Sequence, residues 1–371
     1  MNSLKILHAA DLHLDSPFEG LSAGKAAIRR KEQRTLLAAL ADLAAEEQVD
    51  LVLLSGDLLD SDKPYYETGE ELLRSLRSIP VPVFIAPGNH DFYSPSSPYA
   101  RLRFSENVHI FTENRIQFVT LPELNARVYG AAFNEPHSAG LLKGFHAKEE
   151  DGVLNLLCLH GELNGAAGEY DPVTEAEIAE SGMDYVALGH IHKASGLKKI
   201  GDTWYSWPGC PEGRGFDETG EKTVSIVTLS EAGCELRPVC ISSRSYEILS
   251  VDVTGSDPLL TVHSSLPDDT VRDVYRIFLT GETDTAPDLK RMHESLAELF
   301  FDLQLRDETK LRKDLWDSAG EDTLRGLFLR RLRKQYDKAA GPAERARIEQ
   351  AARWGLAALD NAEEVVQHDD P

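Results

Sequence analysis

The chain has 371 residues, of which 42% are hydrophobic, and a formal net charge of −23. This length is enough for one large core and a smaller appendage. An acidic chain repels polyanions at long range, so tight binding of nucleic acid would depend on local basic groups or on a partner. Four cysteines without a Cys-x-x-Cys pair argue against a disulfide framework. No apolar run reaches the roughly 18 residues of a membrane span, and no signal peptide is evident, which predicts a cytoplasmic protein.

Five apolar segments each end in residues that bind divalent metals. The segments cover residues 4–13, 51–57, 81–91, 154–161 and 185–192. Short runs rich in Val, Ile and Leu are typical of strands that are buried on both faces. Between the first three segments, apolar residues recur at helical spacing from Ser22 to residue 46, and a second helix is predicted over 66–78. The pattern predicts strands joined by crossover helices.

The expected fold is therefore α/β, with a two-sheet sandwich flanked by helices. Segments such as TWYSWPG and TVSIVTL, which begin after residue 202, supply further strands. We predict a main domain at 1–240, a small α/β capping domain at 241–286 with strands over 246–253 and 272–280, and a helical region at 287–371. The helical region has apolar stripes that start at Leu289, Leu324 and Ile348.

The polar residues at the five strand ends are expected to meet, because the carboxyl ends of strands in α/β sheets form a common crevice. They are Asp11, His13, Asp57, Asn89, His160, His190 and His192. This mixture of oxygen and nitrogen donors is enough for two divalent metal ions and favours Mn²⁺, with Fe²⁺, Zn²⁺ and Mg²⁺ as alternatives. A bridging carboxylate is the simplest way to hold two ions about 3.5–4 Å apart, and Asp57 is our candidate.

These residues also form ordered motifs that resemble the calcineurin-like metallophosphoesterase superfamily. The motifs are Asp11-x-His13, Gly56-Asp57-x-x-Asp60, Gly88-Asn89-His90-Asp91, His160-Gly161 and Gly189-His190-x-His192. Within the superfamily, the opening Asp11 to Phe18 and the late Gly-His-Ile-His resemble the SbcD and Mre11 type of DNA-repair exonuclease. The stretch WPGCPEGRGFDETGEK, residues 207–222, resembles a bacterial subgroup of YhaO-like proteins. The resemblance covers about the first two thirds of the chain.

The resemblance implies a role for each site residue. One metal would be held by Asp11, His13, Asp57 and His192, and the other by Asp57, Asn89, His160 and His190. His90 would contact the phosphate and protonate the leaving oxygen, and Asp91 would orient His90. An imidazole with an ordinary pKa near 6.5 suits this proton transfer. Asp60 stands where archaeal and eukaryotic Mre11 enzymes have a second histidine, and it is either a proton-transfer group, a carboxylate that orients a ligand, or a helix cap.

The implied function is a metal-dependent DNA exonuclease or endonuclease in repair or recombination, which hydrolyses phosphodiesters with a hydroxide activated by two metals. The partners would be DNA and an SMC-like ATPase of the Rad50 type, which would dock on the helical region. Whether two copies of the chain form a homodimer stays open at this point. The chain lacks a Gly-x-x-x-x-Gly-Lys-Ser/Thr motif, so ATP hydrolysis would belong to the partner. Two alternatives remain, a small-molecule metallophosphodiesterase, which the acidic charge would suit, and a non-catalytic scaffold of an ATPase complex.

Two groups of basic residues are candidates for a path along which DNA approaches the site. They are Arg29, Arg30, Lys31 and Arg34 in the first, and Lys193, Lys198 and Lys199 in the second. For either group taken singly, an ordinary solvated surface of a helix or loop is the favoured interpretation. His8 lies within the first predicted strand, so we expect a packed core residue or a neighbour of a ligand rather than a ligand.

Overall fold

The computed structural model describes residues 3–148, 150, 152–163, 168–230, 232–311 and 315–359. The chain forms two compact units. The first comprises residues 1–249, 266–277 and 291–305, and the second comprises 250–265, 278–290 and 306–371. The predicted division into three domains, with boundaries after residues 240 and 286, differs from these two units and stays a prediction.

The strands and helices are numbered in chain order. The strands are β1 (Leu4–Ala9), β2 (Leu51–Leu54), β3 (Val83–Ile85), β4 (Val108–Ile110), β5 (Gln117–Leu121), β6 (Ala126–Gly130), β7 (Leu154–His160), β8 (Tyr185–Gly189), β9 (Lys198–Ile200), β10 (Thr203–Ser206), β11 (Thr223–Ser230), β12 (Gly233–Cys240), β13 (Tyr246–Asp252), β14 (Val274–Thr280), β15 (Glu282–Thr283), β16 (Asp302–Asp307) and β17 (Lys310–Leu311). The helices are α1 (Ala23–Glu46), α2 (Tyr66–Ser78), α3 (Pro98–Arg101), α4 (Glu175–Glu180), α5 (Pro258–Ser265), α6 (Leu289–Leu296), α7 (Leu324–Tyr336) and α8 (Pro342–Leu359).

Two six-stranded sheets form the core of the first unit. Their strand orders are β12-β11-β1-β2-β3-β4 and β5-β6-β7-β8-β10-β9. Strands β1 to β4 run parallel to one another, and so do β6, β7, β8 and β10. The carboxyl ends of β1, β2 and β3 therefore share one edge of the first sheet, and those of β7 and β8 share one edge of the second.

The two sheets pack face to face through an apolar core. Ile6 and Leu53 of the first sheet pack in the same buried cluster as Val128, Leu156 and Tyr185 of the second. Such a core is expected because the side chains of successive strand residues point to opposite faces of a sheet. His8 of β1 is fully buried, with Nδ1 2.8 Å from the Tyr185 hydroxyl. The prediction that His8 is a packed residue is confirmed.

Helices cover the outer faces of the two sheets. Leu37 and Leu40 of α1 and Leu72 of α2 pack against the outer face of the first sheet. Ile178 of α4 and the buried Trp207 pack against the second. The predicted α/β sandwich flanked by helices is confirmed, and the helices predicted up to residue 46 and over 66–78 are α1 and α2.

The remaining strands and helices follow residue 245. A three-stranded sheet has the order β13-β14-β16, and a two-stranded sheet consists of β15 and β17. In the second unit, α7 and α8 bury Leu329 and Ala352 together with Trp316. The helices predicted after residue 287 are present as α6, α7 and α8, whereas β16 and β17 were not predicted. Within the described ranges, every helix is too short or too polar to cross a membrane.

Candidate metal centre

The predicted ligands lie in the loops that follow β1, β2, β3 and β8 and at the last residue of β7. Four of these ligands have a left-handed backbone, with φ of +55° at Asp11, +44° at His13, +49° at Asp57 and +92° at His190. Residues other than glycine seldom adopt this region, and when they do, the cost is often accepted at a functional site. The Asp11 amide donates to the Gly56 carbonyl at 3.0 Å, and the His13 amide donates to the Asp57 carbonyl at 2.9 Å. These bonds hold the first two loops together in the strained geometry.

Close backbone approach explains two of the glycines at the site. A β-carbon at Gly88 would overlap the Asp57 carboxylate, and one at Gly189 would overlap the Ser55 carbonyl. The absence of a side chain at these positions therefore lets the loops from different strands come within contact distance.

The first cluster of donor atoms consists of Asp11, His13 and His192. One donor atom from each of these residues lies within 4.8 Å of the others. His13 Nε2 and His192 Nε2 are 3.1 Å apart, and His13 Nε2 is 3.7 Å from Asp57 Oδ2. Two imidazole nitrogens that face each other so closely are well placed to share one cation.

The second cluster is built around His160. His160 Nε2 lies 3.3 Å from Asp57 Oδ2 and 3.0 Å from Asn89 Oδ1. His190 Nδ1 lies 3.3 Å from the same Asn89 oxygen. The structure thus brings all seven predicted ligands together, and Asp57 Oδ2 is the atom that approaches both clusters.

The donor set fits two divalent cations of the kind expected. Its donors are carboxylate and amide oxygens and imidazole nitrogens, which suit Mn²⁺, Fe²⁺ or Zn²⁺. His160 Nδ1 lies 2.9 Å from the Ser55 carbonyl and would donate its N–H there, so that Nε2 keeps a free lone pair for a metal. Residues Asp11, His13, Asp57 and His192 would hold one ion, and Asp57, Asn89, His160 and His190 the other.

Burial and mutual attraction shift the ionisation of these groups. Burial raises the pKa of Asp11 to about 6, although His160 and His192 oppose this shift. Burial also disfavours a charged Asp57, but attraction to His160 outweighs it and holds the Asp57 pKa far below its usual range. Burial lowers the pKa of His160, yet Asp57 raises it to about 9. The Asp57 carboxylate is thus an anion that attracts positive charge, as a bridging ligand must be.

Several groups behind the ligands were not identified as site residues from the sequence. Glu218 Oε1 lies 2.6 Å from His192 Nδ1, and Arg214 Nη2 lies 2.7 Å from the same Glu218 oxygen. The Tyr170 ring stacks on His190, with ring centroids 5.0 Å apart. The only local signal for Arg214 and Glu218 was the charged PEGRGFDE stretch after Trp207, since their contacts with the ligand His192 join segments that are distant in sequence.

The contacts of Asp60 favour one of its three predicted roles, that of a carboxylate which orients a ligand. Its Oδ1 atom lies 3.3 Å from His13 Nδ1 and accepts a hydrogen bond from the Ser16 hydroxyl at 3.1 Å. Burial raises the Asp60 pKa, but the contact with His13 outweighs it and leaves the pKa below its usual range. The geometry supports a carboxylate that orients the His13 ligand.

His90 and Asp91 are neighbours in sequence, but the first side chain is exposed and the second is buried. The His90 ring is exposed, its Nδ1 lies 3.2 Å from the Asp60 carbonyl, and its amide donates to Asp57 Oδ1 at 2.9 Å. Asp91 is buried and accepts hydrogen bonds from the amides of Leu58 and Gly88 at 2.8 Å. Among the described residues, the Asp91 carboxylate binds backbone amides of two loops, and the His90 ring lies beside the Asp60 carbonyl and the His13 ring. The role of Asp91 in orienting His90 stays a prediction.

One member of the first predicted basic group, Arg29, is corrected, whereas Lys31 of the same group is exposed. Arg29 is fully buried and paired with Glu212 and Glu32, so it cannot line a surface. Arg34 is paired with Asp15 at 3.2 Å. Arg29 was misjudged because the sequence does not show which face of α1 is turned towards the chain near Glu212. Lys193, Lys198 and Lys199 are exposed, and their role stays a prediction.

The fold and the site define a metallophosphoesterase. Residues 4–194, more than half of the chain, match the model of the calcineurin-like phosphoesterase family, and the chain belongs to this family. The uncharacterized metallophosphoesterase YhaO of Bacillus subtilis is 29% identical over 279 residues, which are 72% of this chain and 68% of that protein.

More distant relatives are DNA double-strand break repair proteins named Mre11. The protein of Methanopyrus kandleri is 23% identical over 59% of this chain, and the chain spans 51% of its length. The protein of Saccharolobus solfataricus is 23% identical over 71% of this chain and 70% of its own length. Among solved structures, a dimetal phosphatase from Danio rerio covers 64% of this chain and 99% of its own, with 14% identity and a TM-score of 0.41.

Proposed function

We propose that this protein is a two-metal phosphodiesterase that cleaves DNA as an exonuclease or endonuclease, with Mn²⁺ as its metal. The observation that carries the proposal is the position of Asp57, whose Oδ2 atom lies between His13 of the first cluster and His160 of the second. When bound, two such ions would activate a water for attack on phosphorus and neutralise the developing negative charge. The DNA specificity is supported by the similarity to Mre11 proteins.

His90 is proposed as the group that protonates the leaving oxygen. Its exposed ring can reach a bound phosphodiester, whereas the ligands Asp11, His13 and His160 are buried. The bond from its amide to Asp57 Oδ1 fixes the ring next to the shared carboxylate. With Nδ1 against the Asp60 carbonyl, the Nε2 atom of His90 is left to transfer a proton. Asp91 contributes by holding the loops of Asp57 and His90 in register.

A surface along α2 supports a nucleic-acid substrate in spite of the acidic charge. Two adjoining cavities of about 400 and 620 Å³ share the side chain of Glu70. Tyr65 and Tyr66 line the first cavity and are 55% and 78% exposed. The basic residues that line the two cavities are Lys63, Arg74, Arg77, Arg101 and Arg103, and the acidic ones are Asp62, Glu70 and Glu106. We call this the α2 surface.

The α2 surface lies next in sequence to the loops of the metal centre, and α3, which contributes Pro98 and Arg101 to the surface, also carries Tyr99. Lys63 follows Asp60 by three residues, and Tyr99 of α3 donates to Asp91 at 2.5 Å. Exposed aromatic rings next to cationic side chains are suited to single-stranded nucleic acid, because bases stack on the rings and phosphates pair with the cations. A strand bound here would lead to the metal centre.

The test compares three substrates with Mn²⁺-loaded protein, namely single-stranded DNA, duplex DNA and bis-p-nitrophenyl phosphate. Cleavage of all three is expected, and His90→Gln should reduce the cleavage of DNA more than the cleavage of the p-nitrophenyl ester. Activity on the small ester alone would refute the DNA assignment and leave the second candidate, a small-molecule phosphodiesterase, which the net charge of −23 favours. Replacement of Mn²⁺ by Zn²⁺, Fe²⁺ or Mg²⁺ in the same assay tests the choice of metal.

We also propose that the protein is cytoplasmic. There it would work with an SMC-like ATPase that docks on α7. Leu324 and Leu327 of this helix are 70% and 56% exposed, and Arg330 and Arg331 follow them. Apolar anchors beside basic residues would suit an acidic, amphipathic coiled coil. The test is co-purification with a co-expressed ATPase of this class. Loss of the complex in Leu324→Ser/Leu327→Ser, but not in a control with Leu260→Ser on α5, is expected. Retention in both variants would refute this docking site.

A further inference from the structure

The two histidines of the first cluster each have a carboxylate behind the ring. His192 Nδ1 lies 2.6 Å from Glu218 Oε1, and His13 Nδ1 lies 3.3 Å from Asp60 Oδ1. Carboxylates in this position fix the tautomer and the orientation of a metal-binding imidazole and make it a stronger donor. His192 Nδ1 contacts both Glu218 and Arg214 Nη2, whereas His13 Nδ1 faces Asp60 without a regular hydrogen bond among the described residues. The two Nε2 atoms face each other at 3.1 Å.

Arg214 joins these two carboxylates. Its Nη2 atom lies 2.7 Å from Glu218 Oε1, and its Nη1 atom lies 3.4 Å from Asp60 Oδ1. The amide of Arg214 also donates to Glu218 Oε2 at 2.8 Å. The guanidinium is a rigid fork with donors on both sides, so one side chain sets the separation between Asp60, which follows β2, and Glu218, which precedes β11.

The second cluster is supported differently. His160 Nδ1 faces the neutral Ser55 carbonyl at 2.9 Å, and His190 Nε2 is 4.0 Å from Glu162 Oε2. A carbonyl polarises an imidazole less than a carboxylate does, and a distance of 4.0 Å is too long for a hydrogen bond. The two clusters are therefore unequal in the groups that orient their histidines.

We propose that Arg214 is a positioning residue for the first cluster, where it aligns Asp60 and Glu218 so that His13 and His192 present Nε2 to one cation. The first cluster then binds its cation more tightly than the second, and this difference depends on Arg214. The inference rests on the proposed metal binding, and it does not require that the substrate be DNA.

The experiment titrates metal-free protein with Mn²⁺ and follows free Mn²⁺ by electron paramagnetic resonance. Two classes of site are expected in the wild type. In Arg214→Gln, the tighter class should weaken by about 10- to 100-fold, as is typical when a group behind a metal ligand is lost, while the weaker class stays unchanged. Arg214→Lys should recover only part of the affinity, because an ammonium lacks the fork geometry.

The matched control is Arg237→Gln. Arg237 of β12 pairs with Glu47, the residue after α1, at 2.7 Å, and neither residue contacts a predicted ligand among the described residues, so both classes of site should be unaffected. Circular dichroism of the metal-free variants establishes that they are folded. If Arg214→Gln does not fold, Glu218→Gln provides the same test, since it removes the charge behind His192 and keeps the size of the side chain.

Three results would overturn the inference. They are unchanged binding in folded Arg214→Gln, equal weakening of both classes, and a wild type with a single class of site. Because the titration contains no substrate, its outcome is independent of nuclease activity. Two classes of site in a protein that cleaves no phosphodiester would contradict the proposed function and leave the role of Arg214 intact.

Discussion

Asp57 Oδ2 lies 3.3 Å from His160 Nε2, so a residue that follows β2 of the first sheet meets the last residue of β7 in the second. The same oxygen lies 3.7 Å from His13 Nε2. A single carboxylate therefore connects the two ligand clusters, and the distance between two bound cations would depend on it.

Replacement of Asp57 should consequently remove both metals rather than one. In Asp57→Asn the side chain keeps its size but loses the charge that both clusters share. Several kcal/mol of charge stabilisation should be lost, which corresponds to about 10²- to 10³-fold in rate. The measurements are metal content per chain and hydrolysis of bis-p-nitrophenyl phosphate. A variant that retains two metals would show that Asp57 is not the bridge.

His90→Gln should separate chemistry from metal binding. The exposed His90 ring transfers a proton in our proposal, so the rate should fall by about 10²- to 10⁴-fold while metal content stays at the wild-type value. A substrate with a good leaving group, such as a p-nitrophenyl ester, needs less protonation and should be less affected than DNA. Equal losses on both substrates would contradict the role of His90 as a proton donor.

Gly88→Ala should weaken metal binding without disturbing the hydrophobic core. A β-carbon at Gly88 meets the Asp57 carboxylate, so the ligand must move. We expect weaker Mn²⁺ binding and at least about a tenfold loss of rate. Gly24→Ala is the control, because a β-carbon there has no atom within 4 Å and adds helix propensity to α1. Wild-type metal binding by Gly88→Ala would contradict the tight packing of these loops.

The α2 surface should affect DNA and not the small ester. Tyr65→Ser/Tyr66→Ser removes two exposed rings, each of which is expected to contribute about 1–3 kcal/mol by stacking on a base. The KM for single-stranded DNA should therefore rise by tenfold or more, with bis-p-nitrophenyl phosphate hydrolysis unchanged. Phe118→Ser, an exposed aromatic on β5, is the control. If Tyr65→Ser/Tyr66→Ser cleaves DNA as well as the Phe118→Ser control does, the DNA does not bind on the α2 surface.

His8 should make stability depend on pH. Burial lowers the pKa of His8 to about 3, so the folded protein leaves this ring neutral while the unfolded chain protonates it near pH 6.5. The unfolded state then binds more protons, and stability falls as the pH drops from about 6.5 towards 3. His8→Gln should lose stability less steeply than the wild type between about pH 7 and pH 5 in denaturant titrations. Parallel slopes in the two proteins would exclude His8 as the titrating group.

Local patterns were sufficient to predict the strands and the candidate ligands at their ends. Apolar runs such as Leu51–Leu54 form strands because they are buried on both faces, and Asp57 and His160 stand at or just after the ends of such runs. The helices α1 and α2 were predictable for a similar reason, since their apolar spacing matches the helical repeat. These signals depend only on neighbours along the chain.

The sequence by itself predicted seven candidate ligands and determined the class of fold and the family. Only the tertiary structure decided that Asp57 lies between the clusters, that Arg29 is buried with Glu212, and that the Asp91 carboxylate binds backbone amides of two loops. The same holds for Arg214, which joins two carboxylates from distant segments. The reason is physical: strand ends are encoded by local burial, whereas the partner of a charged side chain depends on which loops the two sheets bring together.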